Sequence, residues 1–132
     1  MNSIGVRLNL LITGGTGFVG QSLIKRLGCQ NIYLASRRDT VAWHKALVDI
    51  THVVHHANRA QVMRDHTGGP LAAYRAVNVQ GTLTLARQAA IAGVKSFVFM
   101  SSMKVNGEVT NHGQPFTDAH IPEPEDAYGV SK

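Results

Sequence analysis

The stretch from Leu8 to Gly20, LNLLITGGTGFVG, constrains the fold of this chain more than any other. Leu8 to Ile12 is a short apolar run, the pattern of a strand buried on both faces. It breaks into Thr13-Gly14-Gly15-Thr16-Gly17-Phe18-Val19-Gly20, and a helical pattern follows through Leu23, Ile24 and Leu27. Strand, glycine-rich turn and helix, in that order, are what a dinucleotide site needs. Gly14 permits the tight turn, Gly17 lets backbone approach a pyrophosphate, and Gly20 lets the helix pack close to the strand. The N–H groups that open the helix, at the positive end of its dipole, then hold the phosphates. The spacing is GxxGxxG, with a first gap one residue longer than the usual dinucleotide fingerprint. An ordinary glycine-rich strand–helix turn is the plain alternative, and the flanking elements favour the cofactor.

At 132 residues the chain has room for one domain, residues 1–132, and an apolar share of 44% is enough for a core. No apolar run approaches the length of a membrane span, and MNSIGVRLN lacks the layout of a signal peptide. Cys29 is the only cysteine, which excludes an intrachain disulfide and suits a reducing cytoplasm. The net charge of +5 suits an anionic cofactor and substrate. Nucleic acid is not expected, because the lysines and arginines are scattered and aromatic residues are few.

Strand and helix patterns alternate along the chain. Asn31 to Ser36 reads as a second strand. Val41 to Asp49 reads as a short helix with Trp43, Ala46 and Leu47 on one face and Asp39 or Thr40 as its cap. His52 to Ala57 is the next strand, and Asn58 to Pro70 a loop. Leu71 to Ala92 is the longest helix, with Leu71, Tyr74, Val77, Gly81, Leu85 and Ala89 at helical spacing and Gly93 ending it. Ser96 to Met100 is a fourth strand, and Met103 to Ala127 has no strong period. The pattern predicts an α/β, Rossmann-type three-layer sandwich with a parallel sheet of about four strands. Cofactors in such sheets sit beyond the carboxyl ends of the strands. Gly14 to Gly20, Ser36, Arg37 and Arg38, Ala57, Asn58 and Arg59, and Ser101-Ser102 all fall at those ends, so one rim is expected to carry them.

The last loop brings in chemistry. Ser101-Ser102-Met103-Lys104 is followed by Tyr128-Gly129-Val130-Ser131-Lys132. A tyrosine and a lysine four apart share a helix face, and a nearby ammonium favours the phenolate that a general base needs. A rim serine can hydrogen-bond the same substrate oxygen. His52, His55 and His56 lie on one strand without a carboxylate or cysteine to complete a metal site, so no metal is expected.

These residues together (TGGTGFVG, SSMKVNGE, HHANRAQVM and PEPEDAYGVSK) give the chain a resemblance to the extended short-chain dehydrogenase/reductases. Within these it resembles the NAD-dependent epimerase/dehydratase family, in particular the nucleotide-sugar 4-epimerase-like proteins often linked to polysaccharide synthesis. The resemblance implies that Ser102, Tyr128 and Lys132 are the catalytic set. Tyr128 would take the proton of the sugar 4-hydroxyl while hydride passes to the nicotinamide. Lys132 would hold the nicotinamide ribose and tune Tyr128, Ser102 would orient the 4-oxygen, and Asn78 would support the site from the long helix. Gly14, Gly15, Thr16, Gly17, Phe18, Val19 and Gly20 would bind NAD or NADP, with Ser36, Arg37, Arg38, Ala57, Asn58 and Arg59 beside them. The family implies NAD; Arg37 and Arg38 lean to the 2′-phosphate of NADP.

Three features depart from the family. Arg37-Arg38-Asp39-Thr40 runs almost directly into the helix of Trp43, where relatives place a further strand with an adenine contact. The chain stops within the Tyr128 helix, so the sequence reads as the amino-terminal portion of an epimerase without its substrate region. His56 and Asn58 stand where relatives usually have a leucine and a small residue. A chain of this length is therefore expected to bind cofactor without turnover. The alternative is a non-catalytic dinucleotide-binding or assembly module. A homo-oligomer is expected through the edge of Ser96 to Met100 and the helix Leu71 to Ala92.

Overall fold

The apolar run does become the central strand, displaced towards the glycines: β1 is Leu10–Thr13, while Leu8 remains exposed. The structure is a computed structural model that describes residues 8–28, 31–35, 42–59 and 69–132. β2 (Ile32–Ala35), β3 (His52–His55) and β4 (Ser96–Phe99) complete a parallel sheet in the order β2-β1-β3-β4. All four residues of β1 are buried, and the strand has a neighbour on each side. In register, Ala35, Thr13, His55 and Phe99 form the row at the carboxyl end.

Two compact units divide the chain, Met1–Ala57 with Leu83–Met100, and Asn58–Thr82 with Ser101–Lys132. The sheet belongs to the first. Strand alternation sends Leu11, Ala35 and Val53 to one face, where they form the core with Trp43, Leu47, Leu85 and Ala89. Trp43 and Leu47 come from α2 (Trp43–Ala46) and the turn after it, and Leu85 and Ala89 from α4 (Thr82–Ile91). On the opposite face Ile24 of α1 (Phe18–Leu27) and Leu34 of β2 converge on Gly15. Helices thus lie on both faces, as the alternating pattern requires.

Helix α2 is shorter than the span from Val41 to Asp49. Its end runs through Leu47 into Asp49, whose φ of +60° is the left-handed conformation that stops a helix and that an aspartate tolerates. Asn9 steadies that turn by donating its side-chain amide to the Asp49 carbonyl at 2.7 Å. The cap residues Asp39 and Thr40 lie outside the described residues. Among the described residues β2 is a sheet edge, and residues 36–41, where the adenine strand is expected to be missing, lie outside the described residues.

The long helix is regular only at its ends. α3 (Pro70–Tyr74) opens with proline at its first position, where a missing N–H costs nothing. It then widens into a π-helical segment, Arg75–Gly81, before α4. Widening leaves carbonyls without their usual partners, and the Thr82 hydroxyl donates to the Asn78 carbonyl at 2.6 Å.

In the second unit a single 3₁₀ turn, Met103–Val105, follows Ser102, and α5 (Ala127–Val130) is one turn long. The expected shared helix for Tyr128 and Lys132 tightens after that turn. Ser131 N–H binds the Tyr128 carbonyl at 3.0 Å and Lys132 N–H the Gly129 carbonyl at 3.1 Å. The Ser131 hydroxyl also donates to the Tyr128 carbonyl, at 2.7 Å, which favours the tighter turn.

Candidate active site

In the first unit, the glycine turn is built by close approach of backbone. Gly14 has φ +72°, and a Cβ there would stand 2.8 Å from the Ala57 nitrogen. Only glycine combines that conformation with that contact. Gly17 N–H closes the turn on the Gly14 carbonyl at 3.1 Å. A Cβ on Gly20 would lie 2.3 Å from the Gly14 oxygen and 2.7 Å from the Gly15 Cα, so α1 can sit against the turn only through glycine.

The opening of α1 suits an anion. Its N-cap is Gly17, which offers no side-chain acceptor, and the first turn carries no acidic residue. Thr16, Gly17, Phe18 and Val19 are all exposed, and the Gln21 side-chain amide donates to the Thr16 carbonyl at 2.9 Å. N–H groups at the positive end of a ten-residue helix therefore open on exposed residues, with no acidic side chain in the helix's own first turn. These residues fit the pyrophosphate of a dinucleotide. Ala57 meets the turn as the strand-end reading expects. Ser36, Arg37 and Arg38 lie outside the described residues.

In the second unit the polar centre is Asn78. It is buried in the widened helical segment and makes three hydrogen bonds. Its Oδ1 accepts the Arg59 N–H at 2.7 Å. Its Nδ2 donates to the Arg59 carbonyl at 3.3 Å and to the Ser131 hydroxyl at 2.8 Å. Since Ser131 passes its own proton to the Tyr128 carbonyl, one chain of bonds runs from the loop after β3 to the turn that carries Tyr128. The Tyr128 ring meets Tyr74 edge to face at 5.9 Å, and the Arg59 guanidinium lies over the other tyrosine, 5.5 Å from the Tyr74 centroid. Asn58 precedes Arg59 and is half-buried.

Ser102 caps the 3₁₀ turn, accepting the Lys104 N–H at 3.3 Å. Helix α5 docks on that turn through Gly129, whose Cβ would fall 2.6 Å from the Lys104 carbonyl. Asp126 caps α5 by accepting the Gly129 N–H, and its other oxygen lies 3.6 Å from the Lys104 ammonium, which also pairs with Glu108. Those carboxylates hold the Lys104 ammonium above its ordinary pKa, chiefly through the hydrogen bond that it donates to Glu108. Ser102 and the Tyr128 turn are in this way fixed to one another within the unit. Lys132 is half-buried, and that burial pushes its ammonium below the ordinary lysine value.

Residues that sequence reasoning did not single out thus carry much of the site: Thr13, Asp126, Gly129 and Ser131. An aspartate just before a helix was a readable cap signal; the docking role of Gly129 left no local trace.

A parallel sheet turning at β1, with an open glycine-capped helix beyond it, defines the Rossmann-type dinucleotide-binding class. Residues 10–132 match the NAD dependent epimerase/dehydratase family, and the chain belongs to that family. It is 42% identical over 143 residues to the UDP-glucose 4-epimerase of Vibrio cholerae, covering 94% of this chain and 44% of that protein. MoeE5 in complex with UDP-glucose and NAD superposes with a TM-score of 0.79 at 27% identity, over 93% of this chain and 45% of MoeE5. RMD from Pseudomonas aeruginosa, complexed with NADPH, gives 0.68 at 30% identity, over 93% and 45%. The chain spans less than half the length of these relatives.

Proposed function

We propose that residues 1–132 form an NAD(P)-binding domain that carries the catalytic residues of a nucleotide-sugar 4-epimerase or dehydratase, with a UDP-sugar as substrate. The observation that carries the reading is the open, glycine-capped start of α1, packed on the turn through Gly20, where a Cβ would run into backbone. Likeness to a UDP-glucose 4-epimerase and to a UDP-glucose complex supports the substrate class. Gly14 to Gly20 hold the pyrophosphate, and Ala57 stands beside them. A nicotinamide, when bound, would supply hydride acceptance and return. Ser102 accepts a backbone N–H, which leaves its hydroxyl proton to donate to a sugar oxygen. Tyr128 takes the sugar hydroxyl proton and gives it back, and Asn78 and Ser131 hold the turn on which it sits. A positive Lys132 favours the phenolate.

Cofactor binding is micromolar or weaker, because Arg37-Arg38-Asp39-Thr40 runs almost directly into the helix of Trp43, where relatives place a strand with an adenine contact. Arg37 and Arg38 favour NADP. Calorimetry with NAD and NADP tests both points: submicromolar affinity refutes the first, and tighter NAD binding unchanged by Arg37→Ala and Arg38→Ala refutes the second. A second reading is cofactor binding without turnover by residues 1–132, which span 44% of the UDP-glucose 4-epimerase they resemble. UDP-glucose and UDP-galactose interconversion that disappears in Tyr128→Phe rejects this second reading; cofactor binding with no interconversion rejects the first. The chain also associates with a second copy through the outer edge of β4, where Val98 and Met100 are exposed. A monomer by light scattering at micromolar concentration excludes that association.

A further inference from the structure

The buried pair Thr13 and His55 sits directly behind the glycine turn, one at the end of β1 and the other at the end of β3. Thr13 Oγ1 and His55 Nδ1 are 2.7 Å apart. The direction of that bond follows from the other contacts of the hydroxyl. Thr13 Oγ1 accepts the Ala57 N–H at 3.0 Å and the His56 N–H at 3.2 Å, the latter shared with the Thr13 carbonyl at 3.3 Å. A hydroxyl has two acceptor positions and one proton. Both acceptor positions face N–H groups, so the proton points at His55 Nδ1. That nitrogen is therefore unprotonated and the ring is neutral.

We propose that neutral His55 is a positioning residue for the cofactor turn: it orients the Thr13 hydroxyl, which holds the Ala57 N–H against Gly14. The inference rests on the proposed dinucleotide site. A charged imidazole would present an N–H to an oxygen already facing two others. The bond then fails, and Thr13 can no longer hold both amides. The Ala57 nitrogen is the atom that a Cβ on Gly14 would meet at 2.8 Å, so any slack there reaches the turn directly.

The ring of His55 is packed against aromatic side chains of β4. His55 stacks on Phe99 at 6.0 Å and tilts against Phe97 at 6.1 Å, and β1 and β4 carry no ionisable side chain. On β3 itself His52 points to the opposite face, and His56 follows the strand. The helices over the His55 face contribute Arg87 from α4 and His44 and Lys45 from α2, all exposed cations when charged.

Nitrogen-15 shifts of the imidazoles decide the proton assignment without any ligand. Nδ1 of His55 is expected to be bare at pH 7.5, and the ring to stay neutral below the ordinary histidine value of about 6.5. A protonated Nδ1, or a ring that charges at or above 6.5, overturns the proposal. Titration with NAD tests the positioning role. Affinity is expected to be flat from about pH 7 to 8 and, once His55 charges, to weaken by up to about tenfold per pH unit. His55→Phe keeps a stacking ring without an acceptor and is expected to bind at least about fivefold more weakly throughout. His55→Asn supplies an acceptor that does not titrate, and is expected to restore affinity and remove the acid weakening. A wild-type pH profile in His55→Asn, or wild-type affinity in His55→Phe, overturns the role. Absence of any NAD or NADP binding by the wild-type chain at pH 8 refutes the dinucleotide site and this positioning role with it. The nitrogen shifts then still show whether the hydrogen-bond direction was read correctly.

Discussion

The three glycines of the turn are required for different reasons, and alanine substitution separates them. At Gly20 a methyl would stand 2.3 Å from the Gly14 oxygen and 2.7 Å from the Gly15 Cα. Both distances are roughly an ångström inside ordinary contact. Alanine favours a helix over glycine by about 1 kcal/mol. Overpacking costs about 1–3 kcal/mol, and here the upper end applies because the obstructing atoms are backbone and no rotamer relieves them. The net loss is about 2 kcal/mol, a fall in Tm on the order of 8 °C.

Gly17 differs in each respect. Its backbone, φ −77° and ψ 169°, suits any residue, and the nearest atom to a Cβ is the Gly14 oxygen at 3.4 Å. Replacing an N-cap glycine by alanine costs at most about 1 kcal/mol. Gly17→Ala is therefore expected to fold almost normally. Its methyl nevertheless stands where a pyrophosphate must approach backbone, and NAD affinity is expected to fall at least about tenfold, or 1.4 kcal/mol. Thermal melts and calorimetry on both variants check the pattern. Gly17→Ala binding within twofold of wild type, or Gly20→Ala melting with wild type, refutes the division of roles.

Gly129→Ala places a Cβ 2.6 Å from the Lys104 carbonyl and should lower the unfolding free energy measured in urea by about 2 kcal/mol through loss of α5 docking; an unchanged midpoint and slope count against that docking. Asn78→Asp keeps the bond from Arg59 N–H and loses both donor bonds, a cost of about 2 kcal/mol near neutral pH. That cost should shrink in acid, where the carboxyl regains a proton to donate, and denaturation at several pH values shows whether it does. Lys132 and Lys104 act in opposite senses at alkaline pH. Burial lowers the Lys132 pKa, so the unfolded chain binds more protons as pH approaches the ordinary lysine value, and this contribution rises with pH there. The carboxylates raise that of Lys104, whose contribution is full below the ordinary value and is lost as pH passes the raised one. Stability profiles of Lys132→Met and Lys104→Met should each lose one slope.

The sheet was legible because its signals are local. Four short apolar runs, each followed by a break, became four parallel strands, with ends displaced by up to two residues. The displacements have a common source: a strand ends where its neighbour stops pairing, which is a property of the neighbour. β3 ends at His55 because Thr13 is the last residue of β1 opposite it, although His56 and Ala57 continue the apparent run. The glycine turn was legible for the same reason, since each glycine acts within a few residues of its own position.

The second unit was less legible because its contacts are distant in sequence. A helical stripe through Tyr74, Val77 and Gly81 accounts equally well for a regular helix and for the widened one that forms. What distinguishes them is Asn78, a polar residue one position off that stripe. A buried amide with no partners would cost more than the helix gains from regularity. Arg59, 19 residues earlier, and Ser131, 53 residues later, supply the partners. Widening the helix at Asn78 is therefore best understood as the backbone yielding so that a buried amide can satisfy all three bonds. The same distant bonds explain why the turn bearing Tyr128 is placed by residues that no spacing rule connects to it.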